Sequence, residues 1–263
     1  MKTLILGGTG FFGKILAGNC TGALTASIKG DYIIDRGNVH DLKTLAENRW
    51  DVIYDQICYT ATDAQIAVEA FKGKCGLYVL TSTIGVYGPV CEAASETNFI
   101  AENHYIEGSA NYANGKKDAE SIIATSGMRN ARIRFPIVFG PHDPTMRFEN
   151  FLKSVINDTP PVRNNKMSII SSVYAAKFLQ WIGENDKDGP FNACDNEPIS
   201  TDQILSYLSS KLGLLSYTEA APDTKSLFNR PGIWTLDNSK AKQEGFVFDT
   251  PSDWYFKLID SII

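Results

Sequence analysis

The feature that most constrains this chain stands at its start, where the apolar run Thr3-Leu4-Ile5-Leu6 passes directly into Gly7-Gly8-Thr9-Gly10-Phe11-Phe12-Gly13. Glycines at that spacing let the backbone turn tightly after a strand, approach a pyrophosphate closely, and pack the next helix hard against the strand. The helix opening there adds unpaired N–H groups and the positive end of its dipole, both favourable to phosphate. Gly8-x-Gly10-x-x-Gly13 fits the dinucleotide fingerprint, and Gly7-x-x-Gly10-x-x-Gly13 fits its wider-spaced form. The preceding strand and the following apolar helix give the context that a lone glycine pattern lacks. Dinucleotide binding at Gly7, Gly10, Phe11, Phe12 and Gly13 is the first expectation.

Beyond the loop, short apolar runs alternate with helical patterns. Thr3 to Leu6, Tyr32 to Ile34, Asp51 to Ile57 and Leu77 to Ser82 read as buried strands, and a fifth fits Ala131 to Val138. Helices fit after Phe11 and over Val39 to Asn48, Ala61 to Phe71 and Tyr112 to Thr125. This alternation predicts an α/β chain with a doubly wound parallel sheet of the Rossmann kind, covered on both faces. After Gly140-Pro141 the pattern loosens into helices at Phe148 to Asn157, Val173 to Asn185, Thr201 to Leu212 and Pro251 to Ser261. No repeat or low-complexity linker divides the chain. The expected organisation is a dinucleotide-binding core over residues 1–140, with a smaller C-terminal α/β substrate lobe over 141–263 packed on it.

A chain of 263 residues can bury a full core. Its net charge of −5 argues against a nucleic-acid or anionic-membrane partner, because phosphate contacts need clustered Lys and Arg. The nearest approach to a basic patch, Arg163 to Lys166, is short. Five cysteines (Cys20, Cys58, Cys75, Cys91, Cys194) stand far apart and three histidines are scattered, so reduced thiols and no metal centre are expected. The N-terminal apolar run is too short for a signal-peptide core, and no apolar run of membrane-spanning length follows. A cytoplasmic location is the expectation.

Asp35, closing the run Tyr32-Ile33-Ile34, is the first candidate for the acidic residue that holds an adenosine ribose. A carboxylate there disfavours a 2′-phosphate and favours NAD, whereas Arg36 beside it could accept that phosphate and admit NADP. Further along, Tyr112-Ala113-Asn114-Gly115-Lys116 sets a phenol and an ammonium one turn apart on one helix face. A neighbouring cation stabilises phenolate, so such a tyrosine can serve as general acid or base. Tyr207-Leu208-Ser209-Ser210-Lys211 matches the same spacing, so position must choose between them.

Position favours Tyr112. It follows the strand Leu77 to Thr83, with its hydroxyl-rich end, and the stretch Ile84-Gly85-Val86-Tyr87-Gly88. In these features, and in Arg134-Phe135-Pro136-Ile137-Val138-Phe139-Gly140-Pro141, Gly189-Pro190-Phe191-Asn192 and Asp237-Asn238-Ser239-Lys240, the chain resembles the extended short-chain dehydrogenase/reductase superfamily, in its NAD-dependent epimerase/dehydratase branch. The resemblance covers nearly the whole chain. It implies Tyr112 as the catalytic acid/base and Lys116 as the residue holding the nicotinamide ribose and tuning the tyrosine. Thr83 would hydrogen-bond the reacting oxygen, with Ser82 as its substitute; Tyr87 would line the substrate pocket, and Pro136 would pass near the nicotinamide. Arg147, and with equal standing Arg230, could pair with a nucleotide diphosphate.

The resemblance thus implies an NAD(P)-dependent oxidoreductase or epimerase acting on a carbinol or keto group of a nucleotide-linked sugar. Homodimers in the superfamily form through helices flanking the sheet, one of which would carry Tyr112; composition neither supports nor excludes one here. A competing expectation is a dinucleotide-binding sensor or RNA-associated protein, since Asp35-Arg36-Gly37 and Thr81-Ser82-Thr83 also resemble a branch that includes chloroplast stem-loop-binding proteins. Two departures stand out. The interval from Gly13 to Trp50 is short where relatives fit two strands and two helices, so Asp35-Arg36 could sit after a third strand, with Ala23 to Ile28 as a degenerate second one. Val173 also stands about where relatives carry an Asp.

Overall fold

The computed structural model describes residues 1–106, 108, 111–156, 165–213 and 232–263. Arg163 and Arg230 lie outside the described residues. In the first half, β1 (Thr3–Leu6), α1 (Gly13–Asn19), β2 (Leu24–Ser27), β3 (Tyr32–Ile33), α2 (Val39–Leu45), β4 (Trp50–Asp55), α3 (Ala61–Phe71) and β5 (Cys75–Thr83) follow one another. The chain continues through β6 (Cys91–Ala94), α4 (Tyr112–Thr125), β7 (Asn130–Phe135), β8 (Ile137–Phe139), α5 (Arg147–Ile156), β9 (Asn165–Met167) and β10 (Ile169–Ser171). Then come α6 (Ser172–Glu184), β11 (Gly189–Asn192), β12 (Ile199–Ser200), α7 (Thr201–Leu212), β13 (Gly232–Leu236), α8 (Ser239–Gln243) and α9 (Pro251–Asp260).

Seven strands form one parallel sheet in the order β11-β7-β5-β4-β1-β2-β3. The expected doubly wound architecture is present, and the two-residue period of the strands explains its layers. Ile5, Val52, Tyr54, Leu77 and Val79 point to the face packed by Leu16 of α1 and by Phe178, Leu179 and Ile182 of α6. Leu4, Leu6, Ile53, Tyr78 and Leu80 point to the other, packed by Leu42 of α2, Ala64 and Phe71 of α3, and Ala119 and Ile123 of α4. A fully buried leucine such as Leu4 contributes about 1.5–3 kcal/mol through this burial. Helix starts follow their caps: Thr60 and Asp63 form a reciprocal capping box on α3, and Asn111 accepts from the Asn114 amide on α4.

The short interval from Gly13 to Trp50 holds two strands and two helices, α1 and α2, with no helix between β2 and β3. β2 is Leu24–Ser27, the degenerate candidate, and the run ending at Asp35 is the third strand. Parallel neighbours normally need a helical crossover. Here residues 28–31 turn straight back, and the Asp31 carboxylate clips the turn by accepting from both the amide and the hydroxyl of Thr25, each at 2.8 Å.

The single strand expected over Ala131 to Val138 is broken at Pro136, which has no N–H for the ladder. β7 stays in the main sheet, while β8 leaves to pair with β10. Beyond residue 140 the chain adds three strands of a second sheet, β12-β9-β13-β6, whose fourth, β6, comes from the first half of the chain; Phe148, Phe151, Ile204, Leu208 and Tyr255 are among the core residues of this lobe. The chain also returns to the main sheet, which receives α6 on one face and β11 at its edge.

Candidate active site

The functional candidates gather at the C-terminal ends of the parallel strands, around the β4-β1-β2 region where the sheet order reverses. Open α/β sheets place ligands there. β1 runs into the glycine loop, in which Gly7 adopts φ +81°. A Cβ on Gly13 would stand 2.3 Å from the Gly7 carbonyl oxygen, so only glycine lets α1 close on the loop. This backbone cradle fits a dinucleotide on an observation of the chain itself. Gly7, Gly10, Phe11 and Phe12 line a cavity of about 440 Å³, together with Tyr112 and Lys116.

An outer cavity of about 690 Å³ continues past Gly7 and Gly10 to Ser27, Ile28, Asp35 and Arg36. Asp35 follows the third strand and accepts from the Gly37 amide at 2.9 Å, while the end of β2 offers Ser27, Ile28 and Lys29 and no carboxylate. Arg36 is held at one end of its guanidinium. One of its nitrogens pairs with buried Asp55 at 2.7 Å and reaches the Asp63 carbonyl, although Nε and Nη1 have no hydrogen-bond partner.

Thr83 ends β5 and accepts from the Gly85 amide at 3.2 Å. Tyr112 opens α4 opposite it, and the Thr83 hydroxyl acts to lower the pKa of the phenol. Arg147 opens α5 on the same cavity, held 3.6 Å from Asp143, in a loop with left-handed backbone at His142 and Met146. Pro136 lines this cavity and a neighbouring one of about 590 Å³ that extends to Lys117 and Trp234. The sequence candidates Thr83, Tyr112, Lys116, Pro136 and Arg147 are thus brought together.

The lysine–tyrosine coupling differs from expectation. Lys116 is 1 % exposed and donates to the carbonyls of Cys58 and Thr81, each at 2.7 Å. Its burial lowers its pKa. Tyr112 has its pKa raised, foremost by the protein crowding its phenol and then by Tyr59, while Thr83 and Arg147 oppose the shift. The ammonium lies 5.9 Å from the Tyr112 ring centroid and nearer, at 4.7 Å, to that of Tyr59. Tyr59 is the site residue that sequence reasoning missed: it stands alone between Cys58 and Thr60, with no motif to mark it.

Two substrate candidates turn elsewhere. Ser82 borders the cavity of Thr83 and Tyr112, but it is 3 % exposed and its hydroxyl donates to Glu120. Tyr87 donates to Asn192 at 2.7 Å and accepts from Arg134 at 2.9 Å, so its phenol is committed to a buried polar network. The centre of that network is a fully buried Arg134–Glu120 pair at 2.7 Å. The second tyrosine–lysine pair is a surface feature, since Tyr207 and Lys211 both engage Asp260.

No protein-family model and no curated protein sequence matches the chain. Solved structures do. A UDP-glucuronic acid 4-epimerase from Bacillus cereus, in complex with UDP-glucuronic acid and NAD, is 20% identical with a TM-score of 0.75, covering 100% of this chain and 99% of its own. A double mutant of a dTDP-glucose 4,6-dehydratase from Streptomyces venezuelae, with NAD bound, is 14% identical at TM-score 0.77, covering 99% and 96%. A dTDP-4-dehydrorhamnose reductase from Clostridium acetobutylicum is 17% identical at TM-score 0.74, covering 100% and 99%. The chain has the fold of these enzymes over its whole length.

Proposed function

We propose that the chain is an NAD(P)-dependent enzyme of the extended short-chain dehydrogenase/reductase superfamily, acting on a carbinol or keto group of a nucleotide-linked sugar. The observation that carries this reading is the meeting of Thr83, Tyr112, Lys116 and Arg147 around one cavity continuous with the glycine loop. The fold shared with an epimerase, a dehydratase and a reductase supports it. Gly7, Gly10, Phe11, Phe12 and Gly13 would hold the dinucleotide, and NAD is the cofactor that the epimerase and dehydratase structures contain.

When bound, the nicotinamide supplies a hydride acceptor or donor and, when oxidised, a positive charge. Tyr112 Oη takes the carbinol proton or returns it. Thr83 hydrogen-bonds the reacting oxygen and fixes its distance from the phenol. Lys116 keeps its ammonium charge 5.9 Å from the Tyr112 ring centroid, favouring phenolate as the proton leaves. Arg147 pairs with the anionic part of the substrate, and the sheet β12-β9-β13-β6 with α5, α7 and α9 forms the lobe that receives the sugar nucleotide.

The deciding variant is Tyr112→Phe. It is expected to bind NAD as the parent does, by calorimetry, and to turn over no member of a nucleotide-sugar panel followed by NMR. Undiminished turnover in that variant removes the assignment.

A further inference from the structure

We propose that Tyr59 is a positioning residue for the Tyr112–Lys116 pair, its ring supplying the third partner of the Lys116 ammonium. The proposal rests on the function read above, but its physical content concerns this chain alone. An ammonium carries three N–H donors and no acceptor. Two are used on the carbonyls of Cys58 and Thr81. No carboxylate among the described residues lies within ion-pair distance; Asp55, Asp63, Glu120 and the Cys58 thiol act on the ammonium only from farther away. A cation buried to 1 % exposure without an anion is costly. The face of an aromatic ring offsets part of that cost, and the Tyr59 ring lies 4.7 Å from Nζ.

The local structure fixes the ring there. Tyr59 donates its amide to Asp63 at 2.9 Å, in the same cap that starts α3, and its neighbour Cys58 provides one of the two carbonyls. Its ring centroid is 6.3 Å from that of Tyr112. Tyr59 also lines both the inner cavity with Tyr112 and the outer one with Asp35, so it stands at the waist of the groove. One side chain therefore touches the ammonium, flanks the phenol and borders the path of the dinucleotide.

The test begins without cofactor. The Lys116 Nζ titration is followed by 15N NMR, its signal assigned by its loss in Lys116→Met. Tyr59→Leu, which removes the ring, is expected to move the midpoint down by about one pH unit; Tyr59→Phe, which keeps it, leaves the midpoint in place. In the loaded enzyme the high-pH loss of kcat/KM for carbinol oxidation, where Lys116 gives up its charge, moves down by the same amount for Leu and not for Phe. An unmoved midpoint in folded Tyr59→Leu overturns the proposal, and so does a Phe variant that shifts as far as the Leu one. Tyr59→Val serves equally should the Leu variant not fold. A shifted midpoint with no turnover of any sugar leaves the ring–ammonium contact standing and removes the enzymatic reading instead.

Discussion

A phenol and an ammonium one turn apart on a helix suggest mutual tuning, but the protein packed around each group works against it here. In the chain without cofactor the Tyr112 pKa is raised by the protein crowding its phenol and by Tyr59, and Lys116 spends two donors on backbone carbonyls. The sign has a kinetic reading. Carbinol oxidation needs the deprotonated phenol, so its rate should climb as pH rises into the alkaline range. Keto reduction needs the phenolic proton and should fall over the same range. Rate–pH profiles in the two directions check this. Arg147 opposes the upward shift of Tyr112, so Arg147→Met should move the oxidative limb to higher pH. It should also raise KM for an anionic substrate about tenfold or more. At the outer cavity, Ile28→Asp places a carboxylate at the end of β2, where none stands now. The ratio of NADP to NAD dissociation constants is expected to rise about tenfold in that variant, measured by calorimetry.

Among the elements, α4 carries the catalytic candidates in its first turns and, one turn further along the same face, half of a buried ion pair. Glu120 pairs with Arg134 of β7, both fully buried, and Ser82 of β5 donates to the same carboxylate. Glu120→Gln leaves the guanidinium without its anion and should destabilise the fold by about 3–5 kcal/mol in urea unfolding. A second buried acid ties the C-terminal helix α9: Asp195 accepts from Trp254 Nε1 at 2.6 Å, and burial pushes its pKa up to about 7. A pKa raised by folding means the folded form binds the proton more tightly. Its contribution is therefore full below the unfolded value and fades as pH rises toward 7, by up to about 1.4 kcal/mol per pH unit. Asp195→Asn should flatten that slope in denaturation followed between pH 4 and 7.

Elements of this kind were unequally legible. α3, α4 and α7 lie at the residues their spacing indicates, because cap residues and apolar periodicity agree there. β8, β9, β10 and β12 run only two or three residues and owe their existence to partners distant in the chain, which no local pattern encodes. Thr83, Tyr112 and Lys116 could be picked out because spacing and order mark them. Arg36 could not be placed, because its pairing with Asp55 depends on the segment after β3, at the sheet's edge, reaching back to the end of β4. Ser82 and Tyr87 misled for a related reason: a hydroxyl in a site-like motif looks the same whether it faces a cavity or Glu120 and Arg134.

Across the whole molecule, the sheet, the glycine loop and the second lobe converge on one groove. Its outer end has an unusual border. Where a crossover helix would stand between β2 and β3, there is only the turn over residues 28–31 held by Asp31. A missing wall matters less to how a dinucleotide docks than to how long it stays. Fewer side chains enclosing the adenosine mean a lower barrier to departure, and most affinity differences in related complexes reside in the off-rate. Short residence suits an enzyme that trades oxidised for reduced cofactor at each cycle, and it works against one that must retain a single dinucleotide while its substrate turns over. Stopped-flow displacement should therefore show NADH leaving faster than the enzyme turns over, and protein passed through gel filtration should emerge without dinucleotide. Stoichiometric NAD surviving that passage would assign the chain to the retaining kind of cycle.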